Sequence, residues 1–332
     1  GARPGPAAFG RGGALPTLTD AYLLSGYLPD GLLGGAMALD RAAAERALRP
    51  IAEALGTDVA SAAEMAVRVA SSNMEAGVLP FVARYGVDPE DLTLIVYGGG
   101  GALHGPIFAS ELGVSRIVVP GVPSVFCAYG GLVSEVRHDM TVSVHGREVD
   151  AEALARRYAE LEAQAAEWIG RQVAPELLEA VEYEFWAEMR YPGQSFEVDV
   201  ALTRDQVETR DMAGMASAFH AEHERLYSHC DRTTPPEFVH LRVRVKGRMP
   251  MPAAPETAAA PATGEIAPKS RRDIHFGGQA YPAAPIYDRA ALGLGAAVAG
   301  PCVIEQRDAT VLVPPGYAAA SAAFDNIVIT RA

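Results

Sequence analysis

Residues 92–120 read LTLIVYGGGGALHGPIFASELGVSRIVVP. Leu92 to Tyr97 is a short apolar run with β-branched members, bounded by acidic residues and by glycines, and it predicts a buried strand. Gly98 to Gly101 follow, and then a helix through Leu103, Ile107, Phe108 and Leu112. Arg116 to Pro120 predicts a second buried strand. Strand, glycine loop, helix, strand is the wiring of an α/β fold with a parallel strand pair. The loop is not a phosphate loop of the Walker type, which would need lysine where Pro106 stands. It is not a dinucleotide fingerprint either, because the third glycine would fall on Leu103 or His104. Two readings stay open: a binding loop whose glycines admit a ligand to the backbone at a helix N-terminus, or a turn that needs glycine for close packing. Four consecutive glycines cost backbone entropy that a simple turn rarely requires.

Upstream, the first 35 residues are rich in glycine and proline and predict an irregular loop lying on another surface. Asp40 precedes a helix with Ala44, Leu48, Ile51 and Leu55 on one face and Gly56 as its stop. A second helix starts near Asp58 and runs through Met65, Val69 and Met74, with Pro80 expected to end or kink it. Downstream, SVFCAYGGLVSEV (residues 124–136) predicts a helix. Beyond about His145 the character changes. A charged amphipathic helix occupies residues 150–172. VEYEFWAEMRY and SFEVDVAL form a hairpin around Pro192, Gly193 and Gln194. In residues 238–248, Val239, Leu241, Val243 and Val245 alternate with His240, Arg242, Arg244 and Lys246. Residues 249–270 read as a Pro/Ala-rich linker, and the tail holds short strands with Pro-Pro-Gly turns. The expected division is residues 1–145 and 146–332.

The 332 residues carry 28 Lys plus Arg against 41 Asp plus Glu, a net charge of −13. Such a chain is a poor partner for nucleic acid or an anionic membrane. No apolar run reaches the roughly 20 residues that span a bilayer. Three scattered cysteines, Cys127, Cys230 and Cys302, provide neither a disulfide framework nor a thiolate zinc site. The cytoplasm is the expected compartment. The opening residues carry no charged or apolar leader pattern and read like the middle of a domain, so the chain is expected to be processed or to be a segment of a longer one.

Other chemistry-bearing residues have plainer readings. His220 and His223 are one helical turn apart, with His229, Cys230 and Asp231 close behind. The polar face of a helix explains them, and no metal site is expected on this chain. His138–Asp139 after Arg137 suits a charge-paired strand start. Glu184 and Glu188 share a strand face, as paired acids or a solvated surface. Asp20, after Thr17 and Thr19 in a loop, is a candidate catalytic carboxylate or a helix cap. No serine-hydrolase elbow and no zinc-protease motif occurs.

Residues 96–139, from VYGGGGALHGP to SEVRHD, resemble the central block of the hydantoinase A / 5-oxoprolinase family. That block has a strand, Gly-Gly-x-Gly-x-x-His, Ala-Glu-Leu-Gly, Val-x-x-Pro, a Ser-x-x-Gly helix and Arg-His-Asp. The likeness continues in PGPAAFGRGGALPTLTDA (4–21), MRYPGQSFEVDV (189–200), FHAEHERLYS (219–228) and GPCVIEQRDATVLVPPG (300–316). It covers essentially the whole chain in register. It implies the C-terminal part of an actin-like ATPase (ribonuclease H-like) domain followed by a β-rich α+β domain. Gly98, Gly99, Gly100, Gly101 and His104 would then lie on the adenosine side of an ATP site, with His104 capping the helix or meeting the nucleotide.

The family's two Asp-x-Gly-Gly-Thr phosphate hairpins do not occur in this sequence. The resemblance therefore implies ATP and Mg used together with an N-terminal half carrying those motifs, and a hydantoinase-B-type subunit. It leaves room for a further divalent metal on a partner subunit. The implied activity is ATP-dependent opening of a cyclic amide. The alternatives are a ketone carboxylase subunit of the acetone or acetophenone type and a non-catalytic structural subunit. The sequence departs from the family at several points. Tyr22 stands where the family has asparagine, Gly101–Ala102 where it has Gly-Pro, and Glu75 and Gly77 where arginines are usual. Ser124–Val125–Phe126 is closer to the carboxylase branch.

Overall fold

The computed structural model describes residues 2–84, 87–144, 149–251 and 266–332. The chain forms two compact units: Gly1–Tyr129 joined by Ala254–Ala332, and Gly130–Ala253.

The first unit opens with α1 (Leu18–Leu24) and a small hairpin of β1 (Gly31–Leu32) and β2 (Met37–Ala38). The expectation of an irregular opening loop is corrected here. α1 is closed at its N-terminus by the Thr17–Asp20 capping pair, in which the Thr17 N–H and hydroxyl both donate to Asp20, each at 2.8 Å. Next come α2 (Arg41–Leu55) and α3 (Val59–Arg84). Asp40 caps α2 by accepting from the Ala43 N–H, and Gly56 ends it in the left-handed region. Ala44, Ala47, Leu48 and Ala52 make the buried face of α2, whereas Ile51 and Leu55 are exposed, so the buried stripe is rotated from the expected one. α3 runs through Pro80 instead of stopping there, and Met65, Val69 and Met74 are exposed.

β3 (Thr93–Ile95), α4 (Gly101–Leu112) and β4 (Arg116–Val119) form the expected parallel unit, with Leu94 opposite Ile117. β3 is an edge strand with Thr93 and Ile95 exposed, not a fully buried one. α5 (Phe126–Val133) follows as read from the sequence.

The second unit is an antiparallel sheet in the order β5, β8, β6, β7, made of β5 (Val136–Ser143), β6 (Ala180–Arg190), β7 (Val198–Leu202) and β8 (Glu237–Arg248). Its helices are α6 (Ala151–Gln172), α7 (Arg204–Glu208) and α8 (Met212–Tyr227). The alternation in β8 places Leu241, Val243 and Val245 in a core with Leu154, Tyr158 and Phe219. The opposite face carries cross-strand ion pairs, Arg244 with Asp139 and Arg242 with Asp199.

The C-terminal strands belong to the first unit. β9 (Ser270–Phe276), β10 (Gln279–Asp288), β12 (Cys302–Glu305) and β13 (Thr310–Val313) form one sheet. β11 (Ala297–Ala299), β14 (Tyr317–Ser321) and β15 (Ile327–Arg331) extend the parallel pair, with Ile329 opposite Ile117 on β4. A linear cut at residue 145 separates these strands from the sheet they complete. Residue 145 itself and most of the expected linker, residues 252–265, lie outside the described residues. Among the described residues no helix is long and apolar enough to cross a membrane.

Candidate functional site

β3 delivers the chain into Gly98, whose φ of +87° favours glycine and whose N–H donates to the Pro123 carbonyl at 2.7 Å. Gly100 is the N-cap of α4 and accepts from the His104 N–H at 2.9 Å. At Gly105 an added Cβ would overlap the Val96 side chain, so this glycine serves the close approach of α4 to the strand. Gly99 and Gly100 differ. A Cβ at either would meet no protein atom within 4 Å, and neither has positive φ. Packing does not demand glycine at these two positions. They leave a wall of bare backbone on a cleft of about 1420 Å³, at the positive end of α4. Among the described residues no hydrogen-bond partner takes the Gly99 and Gly100 N–H groups.

Tyr22 from α1 forms a facing part of the cleft. Its hydroxyl lies 2.6 Å from His104 Nδ1, and His104 Nε2 lies 3.2 Å from Ser71 Oγ on α3. His104 is buried behind Tyr22 and does not line the cleft, and burial pulls its pKa below the ordinary value. Burial pushes the Tyr22 phenol up to about 12, so it stays neutral. Asp20 is fully buried. Its oxygens accept from the Ala7, Ala8 and Thr17 N–H groups and the Thr17 hydroxyl. It pins the opening loop onto α1 and presents no free oxygen to a ligand.

The opposite wall comes from the C-terminal strands. Lys269 pairs with Glu305 at 2.9 Å. Arg289 donates to Gln306 at 2.6 Å and to the carbonyls of Pro120 and Asp325. Burial lowers its pKa. Asp308 accepts from Gln306 and Ser124, which hold its carboxyl below the usual range. Of the three cations on the cleft, Arg307 alone has no ionic or hydrogen-bond partner among the described residues. Sequence reading missed Ser71, Arg289 and Arg307, since only the fold brings them to the loop. Tyr22 was visible as a departure from the family pattern.

In the second unit the histidines are held by protein groups. The Tyr191 hydroxyl accepts from the Asp231 N–H and lies 2.9 Å from His220 Nδ1. His223 Nδ1 donates to the His229 carbonyl at 2.8 Å, and its Nε2 faces Gln194. Asp231 accepts from Thr233 and Thr234, which bring its carboxyl down to about 2. No group of three or more His, Cys, Asp or Glu converges on a metal position among the described residues. Asp139 takes a two-pronged contact from Arg244, and His138 stacks on Trp168. Glu184 pairs with Lys246, and Glu188 with His240 at 2.9 Å.

The family model for Hydantoinase/oxoprolinase matches residues 1–140, and that for the Hydantoinase/oxoprolinase C-terminal domain matches residues 142–329. The chain belongs to the hydantoinase/oxoprolinase family. Within this family, the caprolactamase subunit alpha of Pseudomonas jessenii is 34% identical over 329 residues, covering 96% of this chain and 46% of that one. The acetone carboxylase beta subunit of Xanthobacter autotrophicus is 26% identical over 315 residues, covering 91% and 44%.

The crystal structure of ATP-dependent caprolactamase from Pseudomonas jessenii superposes with a TM-score of 0.73 at 33% identity, covering 100% of this chain and 49% of that one. A nucleotide-free acetone carboxylase structure gives 0.79 at 23% identity, covering 98% and 48%, and shows the shared fold. The α/β fold class read from the sequence holds. The chain spans about half the length of the relatives it matches. The two family models meet near residue 141, whereas the compact units place the C-terminal strands with the first 129 residues.

Proposed function

We propose that the chain is the C-terminal portion of an ATP-dependent amidohydrolase subunit of the hydantoinase A type, which opens a cyclic amide such as a hydantoin, an oxoproline or a lactam. One observation carries the reading. Gly99 and Gly100 are kept bare on a cleft wall at the start of α4, with no packing reason, in a chain 34% identical to a caprolactamase subunit. In this reading the Gly99 and Gly100 amides receive the adenosine side of ATP, while Gly98 and Gly101 shape the loop. ATP, when bound, supplies the activation of a carbonyl oxygen toward attack. His104 holds Tyr22 against the cleft from behind, and Arg307 offers a free guanidinium to an anionic group. Asp20 acts by position, fixing α1 and with it Tyr22.

Mg and the phosphate contacts belong to an N-terminal half carrying the Asp-x-Gly-Gly-Thr hairpins, and a hydantoinase-B-type subunit completes the complex. The compartment in this reading is the cytoplasm.

A ketone carboxylase subunit is the second reading. It is favoured by the 26% identity to the acetone carboxylase beta subunit and by Ser124–Val125–Phe126. The deciding experiment is purification of the native complex and assay of its ATP turnover. Turnover that depends on a cyclic amide and yields the ring-opened acid supports the first reading. Turnover that demands a ketone and bicarbonate replaces it with the second. A chain that purifies alone and is indifferent to ATP refutes both.

A further inference from the structure

We propose that Asp308, on the turn between β12 and β13, is a positioning residue for the glycine loop and acts on it through Ser124. The Gly98 N–H donates to the Pro123 carbonyl at 2.7 Å, so residues 120–124, between β4 and α5, set where the loop lies. A closed circuit of hydrogen bonds holds that segment. The Ser124 hydroxyl donates to one oxygen of Asp308, and Gln306 Nε2 donates to the other at 2.6 Å. Gln306 Oε1 accepts from Arg289 Nη1 at 2.6 Å, and Arg289 Nη2 donates to the Pro120 carbonyl at 3.0 Å. Pro120 and Ser124 belong to one short stretch of chain, so the circuit starts and ends on the segment it holds.

The turn between β14 and β15 meets the segment from a second side. A Cβ added at Gly121 would lie 2.7 Å from the Phe324 carbonyl oxygen and 3.2 Å from the Asp325 Cβ, so only glycine admits this approach. Arg289 Nη2 also donates to the Asp325 carbonyl, which ties this turn to Pro120 as well. Phe324 and Asp325 both hold left-handed backbone, with φ of +59° and +54°, which non-glycine residues rarely adopt. Strain of this kind persists only where surrounding contacts over-determine it, and it clusters where geometry serves a site.

Local folding does not require the circuit. β12 and β13 pair from Cys302 opposite Val313 to Glu305 opposite Thr310, and the Gln306 N–H closes their turn on the Ala309 carbonyl at 3.0 Å. The Gln306 and Asp308 side chains are therefore free of that task, and they reach across to the segment that carries the loop. Gly99, Gly100, Gly121, Gln306 and Asp308 all line the one cleft. With the circuit closed, the Gly99 and Gly100 N–H groups are held in one arrangement before a ligand arrives. With it open, ordering the loop is charged to binding and not to the chemical step. That the ligand is ATP rests on the proposed function, and the circuit itself does not.

The test is amide hydrogen exchange by NMR on the full chain, comparing wild type with Ser124→Ala, Asp308→Ala and Asp308→Asn. In Asp308→Asn the new amide accepts from Gln306 and donates to the Ser124 hydroxyl, so the circuit stays closed. Exchange of the Gly98 amide is expected to quicken about fivefold in both alanine variants, the factor one hydrogen bond supplies, and to return to the wild-type rate in Asp308→Asn. The amides of β12 and β13 are expected to keep their rates throughout. Unchanged Gly98 exchange in the alanine variants, equal quickening in β12 and β13, or an Asp308→Asn chain as fast as Asp308→Ala each overturns the proposal. In the assembled complex Ser124→Ala is expected to raise KM for ATP about fivefold with kcat unchanged. A lowered kcat with KM for ATP unaltered also overturns it. Absence of any ATP turnover in the wild-type complex defeats the proposed function instead, and the exchange result still decides the circuit.

Discussion

Gly105 of α4 lies directly on the Val96 side chain, while a Cβ added at Gly99 or Gly100, just before the helix, would meet no atom within 4 Å. The glycines at this strand-to-helix junction thus serve two purposes. Gly105→Ala is an overpacking change, expected to cost about 1–3 kcal/mol in urea unfolding. Gly99→Ala is expected to stay within about 0.5 kcal/mol of the wild type. In the assembled complex Gly99→Ala should weaken ATP binding tenfold or more by calorimetry, because its methyl group enters the cleft. Equal stability losses for the two variants would reduce Gly99 to a packing position.

Asp20 accepts four hydrogen bonds with no exposure to solvent. Asp20→Ala leaves the Ala7, Ala8 and Thr17 donors without their partner and is expected to cost about 2–4 kcal/mol. Thermal unfolding of the variant measures this. A stable Asp20→Ala chain with lost turnover would instead return Asp20 to the reacting groups.

Arg244 holds both oxygens of Asp139, and this hydrogen bonding keeps the Asp139 carboxyl below its ordinary range. A depressed folded-state pKa contributes stability above the unfolded value of about 3.9, and that contribution fades as pH falls through the folded value. Asp139→Asn should therefore lower stability at pH 7 and converge with the wild type below about pH 4. Denaturant titrations at the two pH values test the convergence.

Burial pushes the Cys302 thiol up to about 12, while Cys127 is exposed. Thiolate is the reactive form, so a disulfide reagent at pH 8 is expected to label Cys127 rapidly and Cys302 only after denaturation. Peptide mapping of the labelled chain reads the order.

The β3–loop–α4–β4 unit was legible because period-2 and period-3.6 patterns and glycine punctuation act within a few residues. The hairpin of β6 and β7 and the alternating faces of β8 were legible for the same reason. α1 escaped because its helix follows a Gly/Pro-rich stretch, although the Thr17–Asp20 spacing is itself a capping signature. Ile51 and Leu55 looked like core on helical spacing alone, but smaller Ala47 and Ala52 take the buried face because α1 and α3 approach that side.

The sequence by itself determined most of the local elements, the glycine run at residues 98–101 and the family. Tertiary structure alone decided that β15 closes onto β4 across two hundred residues, that Asp20 spends its oxygens on backbone donors, and that Tyr22, Ser71 and His104 meet. Local patterning reports which face of an element is apolar. Which partner fills that face, and which polar groups are left inside to satisfy one another, follows only from long-range packing.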